Sequence, residues 1–228
     1  MVSLVVPHRF RGPARSGNGG WTAGSYAELL AAGTVEVTLK QPPPLDTPID
    51  VTVADGTASS DIADARLVER QLVTVPSMPA DVARAAEASY AGLRSHPFPT
   101  CFSCGTARED GLRIFPGLVR SAERLVAATW TPTEVTVPIT WAAMDCIGGW
   151  STPLDERAMV LGRIAVSIDR LPEAGVEHVV TGQWLDSQGR KSFTAATLYD
   201  VSGRAIARAE HVWIAVDPAV FNDLRETP

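Results

Sequence analysis

The chain has 228 residues, is 45% hydrophobic and 20% charged, and carries a formal net charge of −6. That length fits one large domain or two of about 100 residues each, and the acidic balance excludes a general nucleic-acid binder, which needs a basic face. No apolar run approaches the roughly 18 residues that mark a membrane span, the start lacks a signal-peptide pattern, and three cysteines make no secreted disulfide framework; the expected compartment is the cytoplasm.

The short apolar run of "MVSLVVPHRFRGP" reads as a first strand. "SGNGGWTAG" (16–24) then leads into helix formers that run to Gly33, a C-cap. "TVEVTLKQP" alternates as a strand does, "QPPPLDTP" (41–48) is a proline-rich loop, and "PIDVTVADG" alternates again up to the turn pair Asp55-Gly56. Ala65 to Val75 is a further extended run. A proline-flanked segment follows, with a helix expected over Ala80 to Leu93.

The same order then repeats. "DGLRIFPGLV" and "RLVAATWTP" read as strands, "TWAAMDCIGGWSTP" as a helix, and "LGRIAVSIDRL" as a strand with Ile164, Val166 and Ile168 on one face. Three strands close the chain: "HVVTGQWLD", "KSFTAATLYD" and "RAIARAEHVWIAV", joined by the glycine hairpins "DSQGR" and "DVSGR". The expected class is α+β: a double hotdog, in which two curved antiparallel sheets each wrap a central helix. The expected units are an N-terminal hotdog over 1–78, a linker with a helix over 79–100, a C-terminal hotdog over 101–217 and a tail over 218–228.

Gly-Gly-Trp occurs in both helical segments, at 19–21 and 148–150. "CFSCGTAREDGL" (101–112) resembles the preamble of phenylacetate-type thioesterases, while "AAMDCIGGW" and "GGWTAG" resemble the helix starts of double-hotdog acyl-CoA thioesterases of the thioesterase II type. The resemblance spans about residues 1–217. It implies hydrolysis of a small-molecule acyl-CoA without a cofactor, by a monomer or a homodimer of double-hotdog units that touches neither nucleic acid nor membrane. The chain departs from those patterns in two places. The residue before each glycine pair is Asn18 or Ile147 rather than histidine, and His211 stands where thioesterase II types carry glutamine. These departures motivate the alternative, a non-catalytic protein of the same fold that binds acyl-CoA or another apolar ligand.

Hydrolysis of a thioester needs a base for water and N–H donors for the oxyanion. A glycine pair at a helix start provides free N–H groups and close approach. The expected catalytic residues are Asp145 as base, His211 on the last strand and Asn18 as donor. Gly19, Gly20, Gly148, Gly149, Trp21, Trp150 and Gln183 are the expected substrate-binding residues. Ser16 is the counterpart of Asp145 in the first half. Cys101 and Cys104 are read as buried thiols packing a loop, and no metal is expected.

Overall fold

A computed structural model describes residues 1–119, 124–154, 157 and 159–216; the expected tail over 218–228 lies outside them. Strand β1 (Val2–Leu4) precedes helix α1 (Gly19–Ala27). Strands β2 (Val35–Leu39), β3 (Ile49–Ala54), β4 (Thr57–Ser59) and β5 (Ala63–Leu67) follow, then helix α2 (Ala80–Ala86). The second half holds β6 (Gly117–Leu118), β7 (Leu125–Trp130), helix α3 (Val137–Trp150), β8 (Met159–Ile168), β9 (His178–Gln188), β10 (Lys191–Tyr199) and β11 (Ala205–Ala215).

The strands form one 11-stranded sheet, in the order β1-β3-β4-β5-β2-β8-β11-β10-β9-β7-β6. This corrects the expectation of two separate sheets. Strands β2 and β8 pair antiparallel, from Val35 opposite Val166 to Thr38 opposite Arg163, so the two halves share a continuous ladder. Both strands would otherwise present a row of unpaired N–H and C=O groups. Glu36, buried on β2, bonds Arg66 of β5 at 2.6 Å and lies 4.0 Å from Arg163 of β8 across the junction.

Helices α1 and α3 lie side by side on the core. Helix α3 is apolar nearly all round, as a helix buried on every face should be; only Val137 escapes full burial. The Thr136 hydroxyl caps its start by accepting the Ile139 N–H at 3.2 Å. The two helices run antiparallel, because Gly20 faces Trp141 and Ala142 while Gly24 faces Pro138 and Trp141. A Cβ on Gly24 would sit 2.6 Å from the Pro138 Cα. Gly24→Ala is therefore expected to destabilise the fold by about 1–3 kcal/mol, the usual cost of overpacking, despite the roughly 1 kcal/mol that alanine gains in a helix. Urea denaturation checks this; a variant as stable as the parent would show that the helices can separate freely.

The two Gly-Gly-Trp copies are not equivalent. The first opens α1, with Asn18 as its N-cap; the second lies in the last turn of α3. Sequence reading put both at helix starts. The tripeptide permits close packing in both places, but against different partners. A Cβ on Gly148 would meet the His211 ring at 2.5 Å, and one on Gly149 would meet the Trp213 ring at 2.8 Å.

Three expected segments are shorter or differently paired than expected. Beyond Leu67 the run to Val75 leaves the ladder and straps the outer face of β10 and β11. Its polar groups bond side chains there: Val73 N–H to Glu210 at 2.9 Å and Val75 N–H to the Thr197 hydroxyl at 2.9 Å. The linker helix ends at Ala86 and continues as two 3-10 turns, Glu87–Ser89 and Ala91–Leu93. The break at Tyr90 turns its ring inward, where its hydroxyl donates to the Cys104 carbonyl at 3.0 Å. Residues 112–116 pair with the cysteine loop instead of a strand, Leu112 N–H donating to Phe102 O at 2.7 Å and Ile114 N–H to Ser103 O at 3.0 Å. No helix among the described residues is long and apolar enough to cross a membrane.

Candidate active site

A groove of about 310 Å³ opens where the two halves meet, at the lower end of the usual size for small-molecule sites. One wall is the loop from Gly12 to Gly19, ending in the first turn of α1. Another is the end of β2 with Lys40 to Pro43. Strand β8 contributes Met159 to Gly162, β11 contributes Trp213 and Ile214, and Phe98, Cys101, Asp145, Cys146 and Val216 complete the lining. The lining is mostly apolar; its polar side chains include Ser16, Asn18 and Asp145 near the start of α1 and Lys40 and Gln41 after β2.

Asp145 projects from the middle of α3 to the N-terminus of α1 and is 2% exposed. One carboxylate oxygen, Oδ2, accepts the Gly20 N–H at 2.9 Å. The other, Oδ1, is buried and has no hydrogen-bond partner among the described residues. Burial raises the carboxyl to about 7, and the Gly20 N–H opposes that rise. Gly20 has to be glycine for this contact: a Cβ there would lie 2.5 Å from the Asp145 Cβ. Of the first-turn N–H groups of α1, Gly20 is taken by Asp145 and Trp21 by Asn18, which leaves the Gly19 N–H and the positive end of the helix dipole facing the groove.

Asn18 lines the groove as well, but both ends of its amide are committed. Its Oδ1 accepts the Trp21 N–H at 2.8 Å, and its Nδ2 donates to the Ser103 hydroxyl at 3.1 Å and to Cys101 Sγ at 3.7 Å. It therefore caps α1 and ties that helix to the cysteine loop. Gly19 lines the groove, as does Ser16.

The remaining expected site residues lie elsewhere. His211 is 2% exposed and packs under α3, outside the groove lining. Its Nε2 is 3.0 Å from the Met144 carbonyl, which can only accept, so Nε2 carries the proton. Nδ1 then accepts from the Thr194 hydroxyl at 3.1 Å. Burial lowers the ring to about 4, so it is neutral at pH 7. His211 thus joins α3 to β10, with the helix backbone filling the space its ring faces. Gly148 and Gly149 serve the same helix-to-sheet packing. Gln183 lies on the opposite face of β9 from α3, since its neighbour Gly182 is the residue that meets Ile147. Trp21 stacks on Phe10, with ring centroids 4.3 Å apart. Trp150 packs edge-on to Tyr90 and donates its indole N–H to Cys104 Sγ at 3.3 Å.

Sequence reading missed the groove residues Leu39, Phe98, Met159, Leu161 and Trp213, and it missed that two cysteines face the groove. Cys146 was visible as the neighbour of Asp145. Nothing in the spacing tells that the loop bearing Cys101 folds onto it.

The sequence matches no protein-family model and no curated protein. Solved structures do match. A hotdog-fold protein of unknown function from Alicyclobacillus acidocaldarius aligns at TM-score 0.63 and 12% identity, over 95% of this chain and 93% of that one. The tesB protein of Mycobacterium avium subsp. paratuberculosis aligns at TM-score 0.56 and 12% identity, over 90% of each chain. The acyl-CoA thioesterase II TesB2 of Mycobacterium marinum aligns at TM-score 0.54 and 12% identity, over 95% and 92%. The fold is a hotdog fold.

Proposed function

We propose that this protein hydrolyses an acyl-CoA thioester in the groove between two hotdog units, residues 1–78 and 101–217, joined by the segment 79–100. The observation that carries the reading is Asp145: a buried carboxylate at the edge of an apolar groove, held by one oxygen to a helix N-terminus and with the other oxygen unpartnered.

The acyl chain lies along Leu39, Met159, Leu161 and Trp213, and its carbonyl points at the first turn of α1. Oδ1 of Asp145 accepts a proton from water as the water oxygen attacks the carbonyl carbon. The Gly19 N–H, the first-turn donor not already taken by Asp145 or Asn18, takes the developing oxyanion. Collapse breaks the C–S bond, and the proton passes from Asp145 to the leaving thiolate, giving a carboxylic acid and free CoA thiol. Asn18 acts by fixing the start of α1. Lys40 on the rim, and exposed Arg15 in the loop that forms one wall, supply positive charge for the CoA phosphates.

A panel of acyl-CoA esters of increasing chain length, assayed for thiol release, tests this. Turnover that peaks at one chain length is the expected result. Saturable acyl-CoA binding without thiol release would instead establish the binding-protein reading.

A further inference from the structure

The chain has three cysteines, from two separated stretches of sequence. All three converge. The sulfurs of Cys101, Cys104 and Cys146 lie within 4.8 Å of one another; each is a free, buried thiol. Cys101 and Cys146 are 3.7 Å apart, sulfur to sulfur. Two sulfurs bound to one tetrahedral zinc, each at about 2.3 Å, stand about 3.8 Å apart.

The hydrogen bonds around the cluster point the same way. Trp150 spends its only N–H on Cys104 Sγ at 3.3 Å. His96 receives the Phe98 N–H on Nδ1 at 2.9 Å, so its Nε2 carries the proton, which lies between the Cys104 carbonyl oxygen at 3.1 Å and Cys104 Sγ at 3.4 Å. The Asn18 amide donates to Cys101 Sγ at 3.7 Å. A neutral thiol is a weak acceptor, whereas donors aimed at sulfur are what orient and stabilise thiolates in metal centres. Because Cys101 and Cys146 line the groove, the cluster also has an entry path.

The geometry points to a metal site in which Cys101, Cys104 and Cys146 bind a soft divalent cation, Zn²⁺, through three sulfurs, with the fourth position open toward the groove. Binding converts three S–H groups into three S–Zn bonds and releases three protons to solvent; the centre carries net charge −1, which the Trp150, His96 and Asn18 donors offset. Three protein ligands and one exchangeable position is the pattern of zinc sites that handle substrate rather than purely brace a fold.

The test uses the full chain, stripped with chelator under reductant, then titrated with Co²⁺ and Zn²⁺. The expected result is saturation at one metal per chain, with a sulfur-to-cobalt charge-transfer band that Zn²⁺ abolishes and with all three thiols protected from alkylation by Zn²⁺. Trp150→Phe should weaken binding about 10–100-fold, as loss of an outer donor does, and Cys104→Ser should remove the stoichiometric band. The wild-type titration decides even where Cys104→Ser folds poorly. No saturable band, equal alkylation with and without Zn²⁺, or a Cys101–Cys146 disulfide in place of metal binding would overturn the site. None of these readouts depends on hydrolysis, so inactivity toward acyl-CoA leaves the result intact.

Discussion

Asp145→Asn is expected to lower kcat for acyl-CoA hydrolysis by about 10²–10⁴-fold, the range that a positioned base contributes, with little change in KM. The substitution suits the geometry. Asn keeps an oxygen to accept the Gly20 N–H, now at 2.9 Å, so the α1–α3 contact survives. What it removes is the proton-accepting oxygen at Oδ1, which has no partner to lose among the described residues. The neutral amide also escapes the cost of burying a charge. The variant should therefore be at least as stable as the parent in urea while turning over far more slowly, the trade expected of a residue kept for chemistry. Thiol-release kinetics and an unfolding curve on the same preparation check both halves. A variant with unchanged kcat would remove Asp145 from the reaction; one that is slow and also unstable would assign the carboxylate to the helix packing instead.

The elements that depend on composition were legible, whereas those that depend on neighbours were not. Helix α3 shows in its largely apolar segment, and β8 in the alternation of Ile164, Val166 and Ile168, because period and hydrophobicity are local properties. The pairing of β2 with β8 is invisible: each strand alternates in the same way whatever lies beside it. The glycine pairs show the limit most clearly. "GGW" at 19–21 and at 148–150 is one tripeptide at opposite helix ends. The first sits behind an Asn cap and faces another helix; the second faces the rings of His211 and Trp213. A Gly-Gly reports that something comes close, without saying what. Asp145 stood out as the lone charge in an apolar stretch, and the structure places it at the groove. His211 stands out by its place on the last strand and lies beneath the same helix, because a strand position can meet a cavity or a backbone and sequence does not distinguish the two.

His211 should govern how the fold responds to acid. Its ring is lowered from 6.5 to about 4, first by burial, against the opposing bonds to Met144 and Thr194. Between those two values the unfolded chain holds a proton that the folded chain refuses. Stability contributed by the neutral ring is therefore fully present above pH 6.5 and falls as pH drops toward 4, where the loss ends because both states are then protonated. Two and a half units correspond to about 3 kcal/mol. Asp145 works in the opposite sense, since its carboxyl, raised to about 7, keeps its proton in the folded state while the unfolded chain loses it from 3.8 upward. The parent's own curve mixes these two slopes, so the comparison has to be between variants. His211→Gln removes one slope and leaves the other, while its amide can still bridge the Met144 carbonyl and the Thr194 hydroxyl. Urea midpoints at pH 7 and pH 4 should show the parent losing about 3 kcal/mol more than His211→Gln over that interval. Equal losses in both proteins would mean that the ring already accepts its proton within the fold, with Met144 and Thr194 yielding to admit the charge. The close fit of Gly148 against that ring, where even a Cβ would stand 2.5 Å from Nδ1, is the physical reason to expect the difference.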